Sequence, residues 1–208
     1  MSSALDVTYK KPKKFGGSAM ASLLGAQMHL EGITKNKKFS YLFGARQKSN
    51  QYLLQSQPTK GQYNPSFTDI QLLLNYKVSE TISMEVLGNY ARNRFTFQPE
   101  SSESAFGYFN NVFNLETNFS GNEIDQFDSR FLGYALTFRP NIATKLKIQA
   151  SAFQTNEKES YDINGLYDLY AVESDMGKSS FGENKYSLGS GEIHDYARNN
   201  LKANVYNI

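Results

Sequence analysis

The sequence predicts an all-β chain, an antiparallel transmembrane β-barrel present in part, with about eight up-and-down strands of a larger barrel. Three observations predict it. Side-chain character alternates with a period of two rather than 3.6. Short and long connections between the alternating segments follow one another in strict order. Aromatic residues make up 14% of the chain, as 14 Tyr and 15 Phe, yet the mean hydropathy is -0.54. A water-soluble domain this rich in rings gathers them into longer apolar runs. Here they are interleaved with Asn, Gln, Ser, Lys and Glu, as a membrane strand requires when it shows lipid one side chain and the lumen the next.

The alternation places the elements in order. Gly17 to Gly32 reads as a hairpin folded at Leu24-Gly25, with Ala26, Met28 and Leu30 on one face and Gln27, His29 and Glu31 on the other. In the strand 38–48, Phe39, Tyr41, Phe43 and Ala45 alternate with Ser40, Gly44 and Arg46. Across 67–78, Ile70, Leu72, Leu74, Tyr76 and Val78 share a face opposite Asp69, Gln71, Asn75 and Lys77, with Leu73 the exception. Ser79-Glu80 is a minimal turn into the strand 81–97, where Ile82, Met84, Val86 and Tyr90 oppose Ser83, Glu85 and Asn89, so the two strands form an antiparallel hairpin. Strands 130–139 and 145–155 follow, joined by a turn that Pro140-Asn141 begins. The last strand lies near 196–205.

Three connections are short, at 33–37, 79–80 and 141–145, and three are long, at about 49–66, 98–129 and 156–191. Outer-membrane barrels pair short periplasmic turns with long extracellular loops in this way. The strands match the ~9–11 residues of a tilted spanning strand. An unclosed sheet in lipid leaves a row of backbone groups unpaired, each costing several kcal/mol, so further strands are expected beyond those visible.

Composition excludes several classes. With 208 residues and no Cys, disulfides, thiol nucleophiles and cysteine metal sites are ruled out. A net charge of +2 is too near neutral for nucleic acid as a partner. The small cluster Lys10, Lys11, Lys13 and Lys14 reads as a solvated turn. No stretch reaches the ~20 apolar residues of a membrane helix. Residues 1–14 have no signal-peptide core, so the start of an exported protein is expected upstream.

One family resemblance covers nearly the whole chain. Ser3-Ala4-Leu5-Asp6-Val7-Thr8-Tyr9-Lys10-Lys11-Pro12 resembles the last strand of the plug domain of TonB-dependent outer-membrane receptors. Phe15-Gly16-Gly17-Ser18 resembles the Gly-rich entry into their barrel, and Ser22-Leu23-Leu24-Gly25 with Leu30-Glu31-Gly32 their first barrel hairpin. Tyr41 through Arg46 resembles the strand that follows. The resemblance implies that 1–14 is the tail of a plug and 15–208 the N-terminal part of a plugged barrel of about 22 strands. It further implies TonB-energised uptake of a scarce nutrient, of the iron chelate, cobalamin or glycan class, in the outer membrane of a Gram-negative bacterium. The implied partners are outer-membrane lipid and lipopolysaccharide, the unidentified nutrient, and TonB through an N-terminal region that this sequence lacks. As it stands the chain reads as a receptor fragment rather than a working transporter.

Chemistry-bearing motifs are sparse, and no enzyme or cofactor is expected. His29 and His194 lie in different strands without metal-ligand spacing, and His29 reads as facing a lumen or plug. Gly177-Lys178-Ser179 lacks the Gly that a phosphate loop needs five residues earlier, where Val172 stands. The carboxylates Glu157, Glu159, Asp162, Asp168, Glu173 and Asp175 do not have calcium-loop spacing and read as an acidic loop facing solvent or lipopolysaccharide. Rings in the long connections, Tyr52, Tyr63, Tyr108, Phe109, Tyr167 and Tyr170 in particular, are candidate ligand contacts, since Tyr offers a flat apolar face and a polar tip. They equally suit an aromatic girdle or packing within the loops. Two other readings compete. A passive porin-like barrel drops the receptor, and a soluble carbohydrate-binding β-sandwich predicts that Ile70, Leu72 and Leu74 bury against a second sheet.

Overall fold

The computed structural model describes residues 8–56, 61–108 and 111–208. They form one antiparallel sheet. Its continuous path has eight strands: β1 (Gly16–Ser22), β2 (Gly25–Ile33), β3 (Phe39–Ser49), β5 (Ser66–Lys77), β6 (Ile82–Pro99), β8 (Asn111–Phe138), β9 (Leu146–Val172) and β10 (Asn184–Asn207). A short helix α1 (Gln51–Gln55) and strand β4 (Gly61–Tyr63) lie between β3 and β5, and β4 pairs with β6. Strand β7 (Ser102–Tyr108) pairs with the start of β8. The sheet does not close: among the described residues β1 pairs only with β2, and β10 only with β9.

Turns at 34–38, 78–81 and 139–145 gather at one end of the sheet, and the β1–β2, β3–β5, β6–β8 and β9–β10 connections at the other. Thr34 and Asn36 close the first of these short turns: the Thr34 hydroxyl donates to Asn36 Oδ1 at 2.7 Å. Ser79 Oγ accepts from the Thr81 and Ile82 amides, and Asn141 Oδ1 from those of Ala143 and Thr144. Short polar side chains that bind their own backbone are what hold such turns tight.

Two of the expected long loops are corrected. Segments 98–129 and 156–191 are largely strand, because β8 and β9 pair without a break from Phe113 opposite Ala171 down to Phe138 opposite Leu146. The loop between β9 and β10 shrinks to 173–183. The physical reason is that both faces of the extension carry polar residues. The contrast fails over 120–129, while higher up Phe113, Leu115, Thr117 and Phe119 still alternate with Asn114, Glu116, Asn118 and Ser120. Connection 49–66 in turn holds α1 and β4.

Residues directly opposed across a ladder point to the same face, so the register sorts the side chains. One face is apolar over the lower half. Its rows include Phe39, Tyr76, Met84, Leu136 and Ile148, then Tyr41, Leu74, Val86, Tyr134 and Ala150, then Leu30, Phe43, Leu72, Leu132 and Ala152. Along β6 this stretch runs from Ile82 to Tyr90. Several of its side chains stay exposed, Leu132 at 57% and Ile148 at 52%, and others such as Leu74 and Val86 are half-buried. The other face carries His29, Glu31, Arg46, Asp69, Gln71, Asn75, Glu85, Asn89 and Gln149, with Leu42, Leu73 and Ala135 buried among them. Leu73, the exception to the alternation, is thus a buried apolar position on the polar face. The β-sandwich expectation fails: all strands belong to one sheet, and Ile70 and Leu72 are exposed at 39% and 37%.

Candidate ligand face

The polar face is where side chains converge. Its lower part holds the chain's own N-terminal segment. Gln71 Nε2 donates to the Tyr9 hydroxyl at 2.7 Å, Lys10 pairs with Glu31 at 2.5 Å, and Pro12 is buried. Lys10 gains this partner while staying 62% exposed, and Lys11, Lys13 and Lys14 are exposed as well. His29 lies beside Glu31, at 3.8 Å, on the polar face where the alternation puts it. The described part of 1–14 thus packs on the face opposite the apolar one, and residues 1–7 lie outside the described residues. Next to it, Arg46 Nε donates to Asp69 at 2.8 Å, a charge-assisted contact between neighbouring strands.

Above this level the same face turns aromatic. Tyr63 on β4 stacks on Phe97 of β6 with centroids 4.6 Å apart, and Phe95 lies 6.1 Å away. Phe119 of β8 meets Tyr167 of β9 edge-on at 6.2 Å. Phe106 of β7 sits 5.7 Å from Phe113 of β8. The register extends the wall to Phe127 and Tyr161. Offset and edge-on pairs of this kind keep the rings upright and leave their outer surfaces available.

Carboxylates share this wall. Glu123 is opposite Phe97 and Tyr161, Asp125 is opposite Phe95 and Glu159, and Glu157 is opposite Phe127. Asp125 and Glu159 are like charges directly across a ladder, an arrangement that destabilises a sheet. Partial burial, then the charges of Asp125 and Glu159, push the Glu123 carboxyl above its ordinary value. Among the described residues no Lys, Arg or His lies within 4 Å of these four carboxylates.

The candidate residues from the sequence divide by face. Tyr63, Tyr167 and Tyr108 fall on the polar, ring-lined face. Tyr170 falls on the opposite face, across from Asn114, and the neighbouring charges of Asp168, with Glu116, raise its hydroxyl's pKa. Tyr52 stands exposed on α1. Phe109 lies outside the described residues. Reading by loop position missed Phe95, Phe97, Phe113 and Phe119. Their signal was present: each falls on the same parity of a strand whose alternation simply continues.

The acidic cluster of the last connection comes apart. Glu157 and Glu159 face the ring wall, whereas Asp162 and Asp168 face the other way, and Asp162 Oδ1 accepts from His194 Nε2 at 2.8 Å. Glu173 turns into its own loop, bound by Lys178 at 2.9 Å and Lys185 at 3.2 Å, with the Asp175 amide donating to it. These contacts, Lys178 foremost, hold its carboxyl down to about 2. Lys178 is thus a loop-closing cation rather than part of a phosphate loop. No group of three or more His, Asp or Glu side chains placed to hold a metal assembles among the described residues. In comparisons with known proteins, no family model, no curated protein and no solved structure matches the chain.

Proposed function

We propose that the chain forms one sector of an outer-membrane uptake receptor of the TonB-dependent type, with the apolar face against lipid and the polar face toward a plugged lumen. The observation that carries this reading is the two-faced sheet with residues 8–14 docked on its polar side. The apolar stretch Ile82–Tyr90 matches the ~9–11 residues of a tilted spanning strand. An exposed apolar surface this wide calls for a cover, and none of the described residues supplies one. The docked N-terminal segment favours a plugged barrel over an open porin. The unpaired edges of β1 and β10 require partner strands in lipid, as a larger barrel provides.

The ring wall is the ligand face in this reading. Its carboxylates narrow the nutrient class. Glu123, Asp125, Glu157 and Glu159 repel an anionic chelate, but they accept hydrogen bonds from hydroxyls while Tyr63, Phe97, Tyr161 and Tyr167 offer flat apolar surfaces. A glycan is the best fit.

Because the chain has no Cys, single cysteines report on each face without background. In intact outer membranes, Leu132→Cys and Ile148→Cys resist a membrane-impermeant maleimide and react after detergent is added. Asp125→Cys and Glu159→Cys, on the ring-lined part of the polar face above the docked segment, react in both conditions. Equal labelling of all four in intact membranes defeats the proposal.

A further inference from the structure

At the end of the sheet away from the short turns, the face opposite the ring wall carries an acidic row. Glu103 of β7 is directly opposite Glu116 of β8, and Glu116 is directly opposite Asp168 of β9. Like charges opposed in this way destabilise a sheet. Among the described residues no Lys, Arg or His lies within 4 Å of any of the three. Tyr170 lies in the next row of the same face, and the charge of Asp168 foremost pushes its hydroxyl above the ordinary value.

A buried amide adjoins this row. Asn114 of β8 is only 4% exposed. Its Nδ2 donates to Glu103 Oε1 at 2.5 Å and to Asn184 Oδ1 at 3.1 Å, and Asn184 Nδ2 donates to Glu116 Oε1 at 2.8 Å. Turning the Asn114 amide over would set its oxygen against two acceptors, so its partners fix which way it points. Its Oδ1 is left buried with no hydrogen-bond partner. Buried acceptors in folded proteins are partnered, and an ion is one of the partners that completes such a group.

We propose that Glu103, Glu116 and the Asn114 Oδ1 bind a calcium ion, which neutralises the acidic row and ties the β7–β8 pair to the start of β10 through Asn184. The donors are all oxygen and carry two negative charges, which suits a hard cation. No third carboxylate converges on them, and Asp168 adds charge from one strand away. Calcium takes about six to eight oxygens at flexible angles, with water completing the shell, whereas Mg²⁺ demands a near-ideal octahedron. Side chains from two neighbouring strands fit the looser requirement. The site does not depend on the membrane reading, because its contacts lie beyond the apolar rows.

The test uses the full chain in a nonionic detergent after treatment with a chelator. Tb³⁺ is the probe: it occupies calcium sites and emits when a nearby Tyr passes energy to it, and the chain has no Trp to compete. Saturable emission that Ca²⁺ reverses is expected, with calorimetry giving a Kd for Ca²⁺ of ~0.1–1 mM, the range of extracellular calcium modules. Mg²⁺ at the same concentration is expected to leave most of the emission in place. Tyr170→Phe is expected to cut the emission several-fold with Ca²⁺ affinity unchanged. E103Q and E116Q keep shape and lose charge, and each is expected to weaken Ca²⁺ about tenfold, whereas N114D puts a charged oxygen at the orphan position and is expected to tighten it. Glu103 is exposed, so E103Q does not put folding at stake. The site is overturned by the absence of saturable binding, by affinity that E103Q and E116Q leave intact, or by an N114D variant that binds no tighter. Emission that Tyr170→Phe leaves intact, or Mg²⁺ displacing Tb³⁺ as well as Ca²⁺ does, overturns it too.

Discussion

Single residues carry two features that the strand pattern does not contain. Glu173 closes the β9–β10 turn: its amide donates to Glu183 O at 3.0 Å, its carbonyl accepts from Gly182 at 2.9 Å, and its carboxylate holds Lys178 and Lys185. Because that carboxyl is depressed from 4.5 to about 2, its stabilising contribution is fully present above 4.5 and is lost as pH falls through about 2. Amide exchange in 173–183, corrected for the intrinsic rate, is therefore expected to stay flat from neutral pH to pH 4.5 and to rise only toward pH 2. Glu173→Gln should raise exchange at neutral pH; an opening of the wild-type turn near pH 5 contradicts this account. Gly121 is the second feature. It takes a φ of 94° in the middle of β8, and a Cβ there would overlap the Asp162 carbonyl of β9. Gly121→Ala is expected to cost ~1–3 kcal/mol in denaturant unfolding, whereas Gly44→Ala, with open space around it, changes stability little.

Elements divide into a lower half whose apolar face is opposite the docked N-terminal segment and an upper half whose rings lie on the other face, with a polar stretch at 120–129 between them. Leu132 of β8 is the clearest test of the lower half, being more than half exposed, at 57%. In water Leu132→Arg removes almost no packing. In a bilayer it is expected to lower folding stability by ~2–4 kcal/mol, the cost of Arg on the lipid side of a barrel. Equal stability of the variant in detergent-free buffer and in vesicles would argue against a lipid-facing strand. In the upper half, the β8–β9 extension relies on ring contacts. A double-mutant cycle on Phe119→Leu and Tyr167→Leu should return a coupling of ~0.5–1.5 kcal/mol. The lower strands were legible in the sequence to within a few residues, since Phe39–Ser49, Ser66–Lys77 and Ile82–Pro99 nearly match the expected 38–48, 67–78 and 81–97. The extensions were not, because polar residues on both faces of 120–129 interrupt the alternation that resumes, in step, at Phe113–Phe119.

At the scale of the whole molecule, the faces of the sheet assign the candidate ligand residues. Tyr63→Ala and Tyr167→Ala are each expected to weaken binding of a neutral oligosaccharide roughly tenfold, about one ring contact. Tyr170→Ala, on the opposite face, should leave it unchanged. Titration calorimetry on the protein separates these outcomes, and a larger effect from Tyr170→Ala would break the link between face and function. In the sequence these three rings looked alike, since each is a Tyr in a connection. Parity along a strand that was not recognised as a strand is what separates them. Asp125 and Glu159, 34 positions apart, likewise became neighbours only through the β8–β9 register.

The sequence by itself determined the all-β class, the antiparallel order of the lower strands, the short turns and the split into an apolar and a polar face. Those features follow from period two and from turn chemistry, which act between residues close in the chain. Only the tertiary structure decided the open edges, the docking of Tyr9 and Lys10 on Gln71 and Glu31, the strand character of the long connections, and the sorting of rings and acids onto one face and cations onto the other. These depend on register between strands far apart in sequence, where a shift of one residue exchanges the two faces.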